Sequence, residues 1–127
     1  MDSAILLVDD NAIQGATRKT ILERSGYSVT VAPDGPGAIE LLSRERAALD
    51  LGLIVTDHLM PGMNGPELVS EIRRRGICIP ILVLSGLPDA GEAYKGLHVT
   101  FRLKPIHPDS LIELTRQLLS RPISRTA

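Results

Sequence analysis

The feature that most constrains the fold is a series of five short strand-like segments, of which the first, third and fourth are nearly continuous apolar runs that stop at polar side chains. Strands that are apolar on both faces are typical of parallel sheets covered by helices on either side. Only 2% of the residues are aromatic, so a core built from these strands must be aliphatic. The predicted strands span residues 4–8, 27–32, 51–56, 79–84 and 99–103.

Segments with helical periodicity alternate with these runs. The spacing of apolar residues predicts helices over 12–25, 35–46 and 66–75, and a last helix from Pro108 onward. The connection over 86–98 is rich in glycine and proline, which predicts a short helix there. Because parallel strands need crossover connections, the alternation predicts an α/β fold with helices on both faces of the sheet.

Length and composition narrow the class of protein. The 127 residues fit one domain, which we expect over residues 1–120, followed by a C-terminal tail over 121–127. The single cysteine, Cys78, cannot form an internal disulfide, which favours a cytoplasmic location. The net charge of −1 argues against direct nucleic-acid binding, and no apolar run approaches the roughly 20 residues that span a membrane.

Polar side chains stand at four of the predicted strand ends. Asp9 and Asp10 follow the first strand, Asp57 the third, Ser85 the fourth and Lys104 the fifth. In parallel α/β sheets the carboxyl ends of the strands form the ligand-binding edge, so these side chains should meet. Two carboxylates about 5 Å apart repel by roughly 3 kcal/mol at an effective dielectric of 20, so the cluster needs cations. Its oxygen ligands predict Mg²⁺, with Mn²⁺ as an alternative.

The same set of residues suits one reaction. A carboxylate can attack phosphorus and form an aspartyl phosphate when the oxygens of the transferred group are neutralised. A metal ion, the Lys104 ammonium and the Ser85 hydroxyl could each engage one of those oxygens. The sequence therefore predicts a phosphoryl-accepting site.

The chain resembles the receiver domains of two-component response regulators. The resemblance extends over about residues 4–119 and rests on four motifs, at 7–11, 57–65, 85–86 and 104–105. It implies a flavodoxin-like, doubly wound sheet of five parallel strands in the order 2-1-3-4-5. It also implies a signalling domain rather than an enzyme, with at most self-phosphorylation from small phosphodonors and self-dephosphorylation.

The resemblance also implies residue roles. Asp57 would accept the phosphoryl group from a histidine kinase or phosphotransfer protein, and Ser85 and Lys104 would bind that group. Asp9, Asp10, Asp57 and the Leu59 carbonyl would hold Mg²⁺.

A switch and an output surface are implied as well. Ser85 would move toward the phosphate and Phe101 would turn inward, changing the surface of the fourth helix, fifth strand and fifth helix. The downstream effector is not identified, and we expect a monomer or a weak phosphorylation-dependent dimer. The Lys104–Pro105 bond is expected to be cis. The chain departs from the family at Gly37, where Glu is common, and in the shortened segment 86–98, which is part of the output surface.

Alternatives stay open beside this interpretation. The first is a receiver domain excised from a hybrid histidine kinase or multidomain regulator, and the second is a docking module that works without phosphorylation. An aspartate-dependent phosphohydrolase is disfavoured because Leu59 stands where such enzymes place a second acid. Leu59 and Leu87 are apolar where polar side chains could orient an attacking water, which predicts slow self-dephosphorylation.

Overall fold

A five-stranded parallel sheet forms the centre of the protein. The computed structural model describes residues 4–44 and 50–120. The strands are β1 (Ala4–Val8), β2 (Ser28–Ala32), β3 (Leu51–Asp57), β4 (Ile81–Ser85) and β5 (Thr100–Leu103). Their order in the sheet is β2-β1-β3-β4-β5 and every pairing is parallel, which confirms the predicted doubly wound fold.

The helices begin at caps that the sequence supplies. They are α1 (Ala12–Arg24), α2 (Gly35–Leu42), α3 (Gly65–Arg74) and α4 (Pro108–Ser120). The side chains of Asn11, Asp34 and Asn64 accept hydrogen bonds from backbone N–H groups in the first turns of α1, α2 and α3. The second helix ends earlier than the predicted residue 46, and residues 45–49 and the predicted tail 121–127 lie outside the described residues.

The sheet separates two aliphatic cores. Alternate residues of β1 point to opposite faces, so Leu6 and Val8 belong to one core and Ile5 and Leu7 to the other. The first core is covered by α2 and α3, and the second by α1 and α4. Burying a side chain of this size contributes about 1.5–3 kcal/mol, so both faces of the strands need their helices.

The connection between β4 and β5 differs from the other connections. It forms a 3₁₀ helix over Pro88–Tyr94 rather than an α-helix, in line with the short helix predicted for this segment. Gly91 within it and Gly96 after it weaken any longer helix, and Gly96 has a φ of 82°. The Tyr94 side chain is buried in the first core and anchors the segment.

None of the helices in the described part of the chain is both long enough and apolar enough to cross a membrane.

Candidate functional site

The predicted site residues meet at the carboxyl edge of the sheet. Asp9 directly follows β1, Asp57 ends β3, Ser85 ends β4 and Lys104 directly follows β5. Backbone hydrogen bonds hold them there, because the Asp9 N–H donates to the Ala32 carbonyl at 3.0 Å and the Lys104 N–H to the Ser85 carbonyl at 2.7 Å. The Lys104–Pro105 peptide bond is cis, as the resemblance implied.

Three carboxylates form the acidic cluster of the site. One oxygen each of Asp9, Asp10 and Asp57 lies within 4.8 Å of the others. Asp9 and Asp57 are buried, with 2% and 1% of their surface exposed, whereas Asp10 is exposed to solvent. A cluster of oxygen ligands that is open on one side suits Mg²⁺, which usually keeps several of its waters. The donor set of this structure therefore fits the predicted metal.

Two cations contact the same oxygen of Asp57. The Lys104 ammonium lies 2.8 Å from Asp57 Oδ1, and the Arg18 guanidinium Nη1 lies 3.0 Å from it. The same Arg18 nitrogen also lies 3.0 Å from Asp9 Oδ2. The pairing of Lys104 with the cluster matches the sequence prediction, but Arg18 was not predicted to be in the site.

The helical periodicity of α1 did not reveal Arg18, because periodicity gives no information on a charge buried on the inner face of the helix. The buried positions of α1 are Gly15, Arg18 and Leu22, spaced three and four residues apart. An arginine on the buried stripe of a helix needs a buried anion, since desolvating an unpaired charge is costly. The acidic cluster is that anion, and this stripe was the signal that could have revealed the contact.

Burial of Asp9 changes its acidity. The Asp9 carboxylate accepts a hydrogen bond from the Asn11 N–H at 2.9 Å, as well as the bond from Arg18. Desolvation by burial, followed by the hydrogen bond with Asp57, nevertheless raises the pKa of Asp9 from its ordinary 3.8 to about 6. The Arg18 charge therefore compensates only part of the electrostatic cost of the cluster.

Ser85 and Phe101 lie on the same side of the β4–β5 pair. Ser85 pairs in register with Leu103 and Val83 with Phe101, so side chains two residues apart share a face. The Ser85 hydroxyl oxygen accepts a hydrogen bond from the Leu87 N–H at 2.9 Å. The Phe101 ring is partly buried, and its centroid lies 6.3 Å from that of Tyr94. The switch roles of Ser85 and Phe101 stay a prediction.

Two apolar side chains near the cluster are exposed. Leu59, two residues after Asp57, is 64% exposed, and Leu87, two residues after Ser85, is 47% exposed. Neither side chain can donate or accept a hydrogen bond. The Leu59 carbonyl as a metal ligand stays a prediction.

The histidine beside Asp57 makes a structural contact. His58 Nδ1 lies 2.7 Å from the Tyr94 hydroxyl, and burial lowers the pKa of His58 from its ordinary 6.5. Gly65 permits this arrangement, because a Cβ at that position would collide with the Tyr94 hydroxyl. The His58 carbonyl accepts a hydrogen bond from the Gly65 N–H at 2.8 Å, so His58 links the start of α3 to the 3₁₀ helix and is not one of the residues of the acidic cluster.

Comparison with known proteins agrees with this geometry. A family model described as the response regulator receiver domain matches residues 5–116. The chain is 33% identical over 120 residues to the response regulator MprA of Mycobacterium leprae, covering 92% of this chain and 51% of that protein. It is 32% identical over 123 residues to the aerobic respiration control protein ArcA of Escherichia coli, covering 94% and 50%.

Solved structures show the same fold. The signal receiver domain of a signal transduction histidine kinase from Syntrophus aciditrophicus superposes with a TM-score of 0.84 and 30% identity, covering 98% of this chain and 95% of that one. The chemotaxis protein CheY4 of Vibrio cholerae gives a TM-score of 0.82 and 27% identity, covering 93% and 99%.

The extent of these matches differs between the two kinds of relative. The chain spans about half the length of the curated relatives that it matches, and nearly the whole of the receiver structures. The region of this chain that matches the family model, residues 5–116, contains Asp9, Asp10, Asp57 and the lysine after β5. The family match, the fold and the arrangement of these residues together show that the chain belongs to the response regulator receiver domain family.

Proposed function

We propose that this receiver domain accepts a phosphoryl group on Asp57 from a histidine kinase or a phosphotransfer protein, in the presence of Mg²⁺. The observation that carries the proposal is the convergence on Asp57 of the Lys104 ammonium at 2.8 Å and of two further carboxylates within 4.8 Å. A lone buried carboxylate would be a poor acceptor of a negatively charged group. A carboxylate beside an ammonium group and a bound metal ion is a better acceptor, because the two cations offset the negative charge of the transferred group.

Each residue has a role in the transfer. An Asp57 oxygen attacks phosphorus and forms the new P–O bond, while the bond from phosphorus to the donor nitrogen or oxygen breaks and the leaving group keeps its electron pair. Lys104 would neutralise charge on the transferred group. Ser85 would turn its hydroxyl proton from the Leu87 carbonyl, which lies 3.4 Å away, to a phosphoryl oxygen. Asp9, Asp10, Asp57 and the Leu59 carbonyl would hold Mg²⁺, which would supply further charge neutralisation.

The output would be a change of surface at the far edge of the sheet. Movement of Ser85 would open space for Phe101, which lies on the same face of β4 and β5. Only local contacts distinguish the two states, so phosphorylation would shift a population rather than build a new structure. In this chain the surface comprises the 3₁₀ helix, β5 and α4, because the predicted fourth helix is not an α-helix.

Phosphorylation from a small donor tests the proposal. Incubation with acetyl phosphate and Mg²⁺ should add one phosphoryl mass to the wild-type protein and none to Asp57→Asn, as read by intact-protein mass spectrometry. Asp109→Asn, which removes an exposed carboxylate in the first turn of α4, is the matched control and should be labelled like the wild type. Equal labelling of Asp57→Asn would show that Asp57 is not the acceptor.

The lifetime of the phosphorylated form is a second prediction. Leu59 and Leu87 cannot orient a water for attack on the phosphoryl group, so we expect self-dephosphorylation to be slow. Leu59→Asn should shorten the lifetime, and loss of the phosphoryl mass over time measures it. A wild-type lifetime of seconds, or no acceleration in Leu59→Asn, would contradict this expectation.

A docking module that works without phosphorylation is the second candidate function. The observation in its favour is that Arg18 and Lys104 neutralise part of the charge of the acidic cluster with side chains of the domain itself. Such a module would not need Mg²⁺, so a titration that shows no binding at any accessible Mg²⁺ concentration would favour it.

A further inference from the structure

Arg18 is the charged residue of the site whose position calls for explanation. It lies on the inner face of α1 with only 7% of its surface exposed. One nitrogen, Nη1, lies 3.0 Å from Asp9 Oδ2 and 3.0 Å from Asp57 Oδ1. A single donor therefore bridges the two buried carboxylates of the acidic cluster.

The bridged carboxylates are also the proposed metal ligands. A Mg²⁺ ion bound through the same two oxygens, Asp9 Oδ2 and Asp57 Oδ1, would lie about 2.0–2.1 Å from each of them. The Arg18 nitrogen occupies the space between these oxygens. Two cations cannot share that space, because they would overlap sterically and would repel each other in a site with little solvent to screen them.

The charge of the cluster leads to the same conclusion. Three carboxylates are opposed by Lys104 and Arg18, so the metal-free cluster carries a formal charge of −1. Without Arg18 the formal charge would be −2. The attraction of a divalent cation would then be stronger.

Arg18 has space into which its side chain can move. It lines an open groove between α1 and the segment that leads into α4, together with Thr17, Ile21, Lys104 and Pro105. The guanidinium could leave the two carboxylates and extend into this groove without unpacking the core. The groove also lets the released charge reach water.

From these observations we propose that Arg18 is a resident cation that takes the place of the metal between Asp9 and Asp57, and that Mg²⁺ binds only by displacing it. The inference rests on the proposed function in one respect, the use of these carboxylates as metal ligands. Arg18 thereby sets the concentration of Mg²⁺ at which the domain becomes competent to accept a phosphoryl group. It is a positioning residue and not a catalytic one.

Metal titration of charge-matched variants tests the proposal. Isothermal titration calorimetry with Mg²⁺ at constant ionic strength would compare the wild type, Arg18→Met and Arg24→Met. Arg24 lies in the last turn of the same helix and is exposed, so its loss changes the net charge equally and leaves the cluster intact. We expect Arg18→Met to bind Mg²⁺ at least about tenfold more tightly than the wild type, and Arg24→Met to bind within about twofold of it.

Equal or weaker binding by a folded Arg18→Met, with folding checked by circular dichroism, would overturn the proposal. A second measurement on the wild type does not depend on the variant. The Nε–H resonance of Arg18, assigned by its absence from the ¹⁵N spectrum of Arg18→Lys, should shift on Mg²⁺ addition while that of Arg24 stays in place. An Arg18 resonance that does not move at saturating Mg²⁺ would also overturn it.

The experiment separates this proposal from the proposed function. Tighter Mg²⁺ binding by Arg18→Met without any labelling of Asp57 by acetyl phosphate would refute phosphoryl transfer and leave the displacement of Arg18 standing. Labelling of Asp57 together with an unchanged Mg²⁺ affinity in Arg18→Met would support phosphoryl transfer and refute the displacement of Arg18.

Discussion

The acidic cluster and the surface of α3 contain ion pairs of similar length in different surroundings. Arg18 lies 3.0 Å from each of two carboxylates, and Glu71 lies 2.6 Å from Arg74 and 2.7 Å from Arg75. The Arg18 side chain is 8% exposed, whereas that of Arg74 is 73% exposed. The distance between two charged groups is therefore a poor guide to the strength of their interaction. Water and salt screen the exposed pairs and hardly reach the buried ones.

The acidities of the carboxyl groups show the difference. The two arginines lower the pKa of Glu71 from its ordinary 4.5, because little desolvation opposes their hydrogen bonds. Burial and the neighbouring Asp57 raise the pKa of Asp9 to about 6 although Arg18 contacts it. In the buried cluster the cost of removing charge from water exceeds what the paired cation returns.

Removing the buried cation should have the largest effect on stability. We expect Arg18→Met to lower the free energy of unfolding of the metal-free protein by about 2–3 kcal/mol at pH 7.5, because two buried carboxylates lose a shared partner. Protonation of Asp9 and the remaining contact with Lys104 limit the loss. Urea denaturation measures it, and added Mg²⁺ should recover part of it.

Arg24→Met is the control for that measurement and should change the stability by less than about 0.5 kcal/mol. Equal stability of the two variants would show that the buried contacts of Arg18 contribute no more than the charge of an exposed arginine.

Removing a buried acid should have a smaller effect of opposite sign. Asp9→Asn should raise the free energy of unfolding of the metal-free protein by about 1–2 kcal/mol at pH 7.5. The folded pKa of Asp9 lies above its ordinary value, so this group costs stability progressively as pH rises from about 4 to about 6, and the full cost remains above pH 6. Denaturation at pH 4 and pH 7.5 measures the difference between the variant and the wild type, which should nearly vanish at the lower pH. A destabilised Asp9→Asn at pH 7.5 would indicate that pairing with Arg18 outweighs burial.

Removing Glu71, a partly exposed acid of α3, should have the smallest effect. Glu71→Gln should lower the thermal unfolding midpoint only slightly, because its ion pairs lie at the surface. The folded pKa of Glu71 lies below 4.5, so its contribution is present above that pH and is lost as pH falls through the folded value. Thermal scans in low and high salt measure the effect, which should decrease as salt screens the pairs. A large decrease in the unfolding midpoint that does not depend on salt would show that the ion pairs of Glu71 behave like those of the buried cluster.

The sequence allowed the fold to be predicted because β1, β3 and β4 are nearly continuous apolar runs and α1, α2 and α3 begin at polar caps. The predicted bounds of β1 match the structure, since Asp9 ends the apolar run abruptly. The end of α2 was predicted too far along the chain, because helical periodicity continues past Ser43 while the helix itself ends at Leu42. Helix ends depend on capping and packing more than on periodicity.

The convergence of Asp9, Asp57 and Lys104 could be predicted as well, since parallel strands bring their carboxyl ends to one edge. The contact between Arg18 and this cluster could not be predicted in the same way. Arg18 lies on the buried face of α1, and its distance from the carboxylates depends on how closely this helix packs against the sheet.

The order of apolar and polar residues along the chain was sufficient to determine the layered fold and the edge where its acids gather, because hydrophobic burial and strand direction are read from local patterns. The tertiary structure alone decided that a cation from α1 stands between Asp9 and Asp57. Its position follows from the packing distance between a helix and a sheet, together with the strong attraction of opposite charges away from water, and neither quantity is encoded in spacing along the sequence.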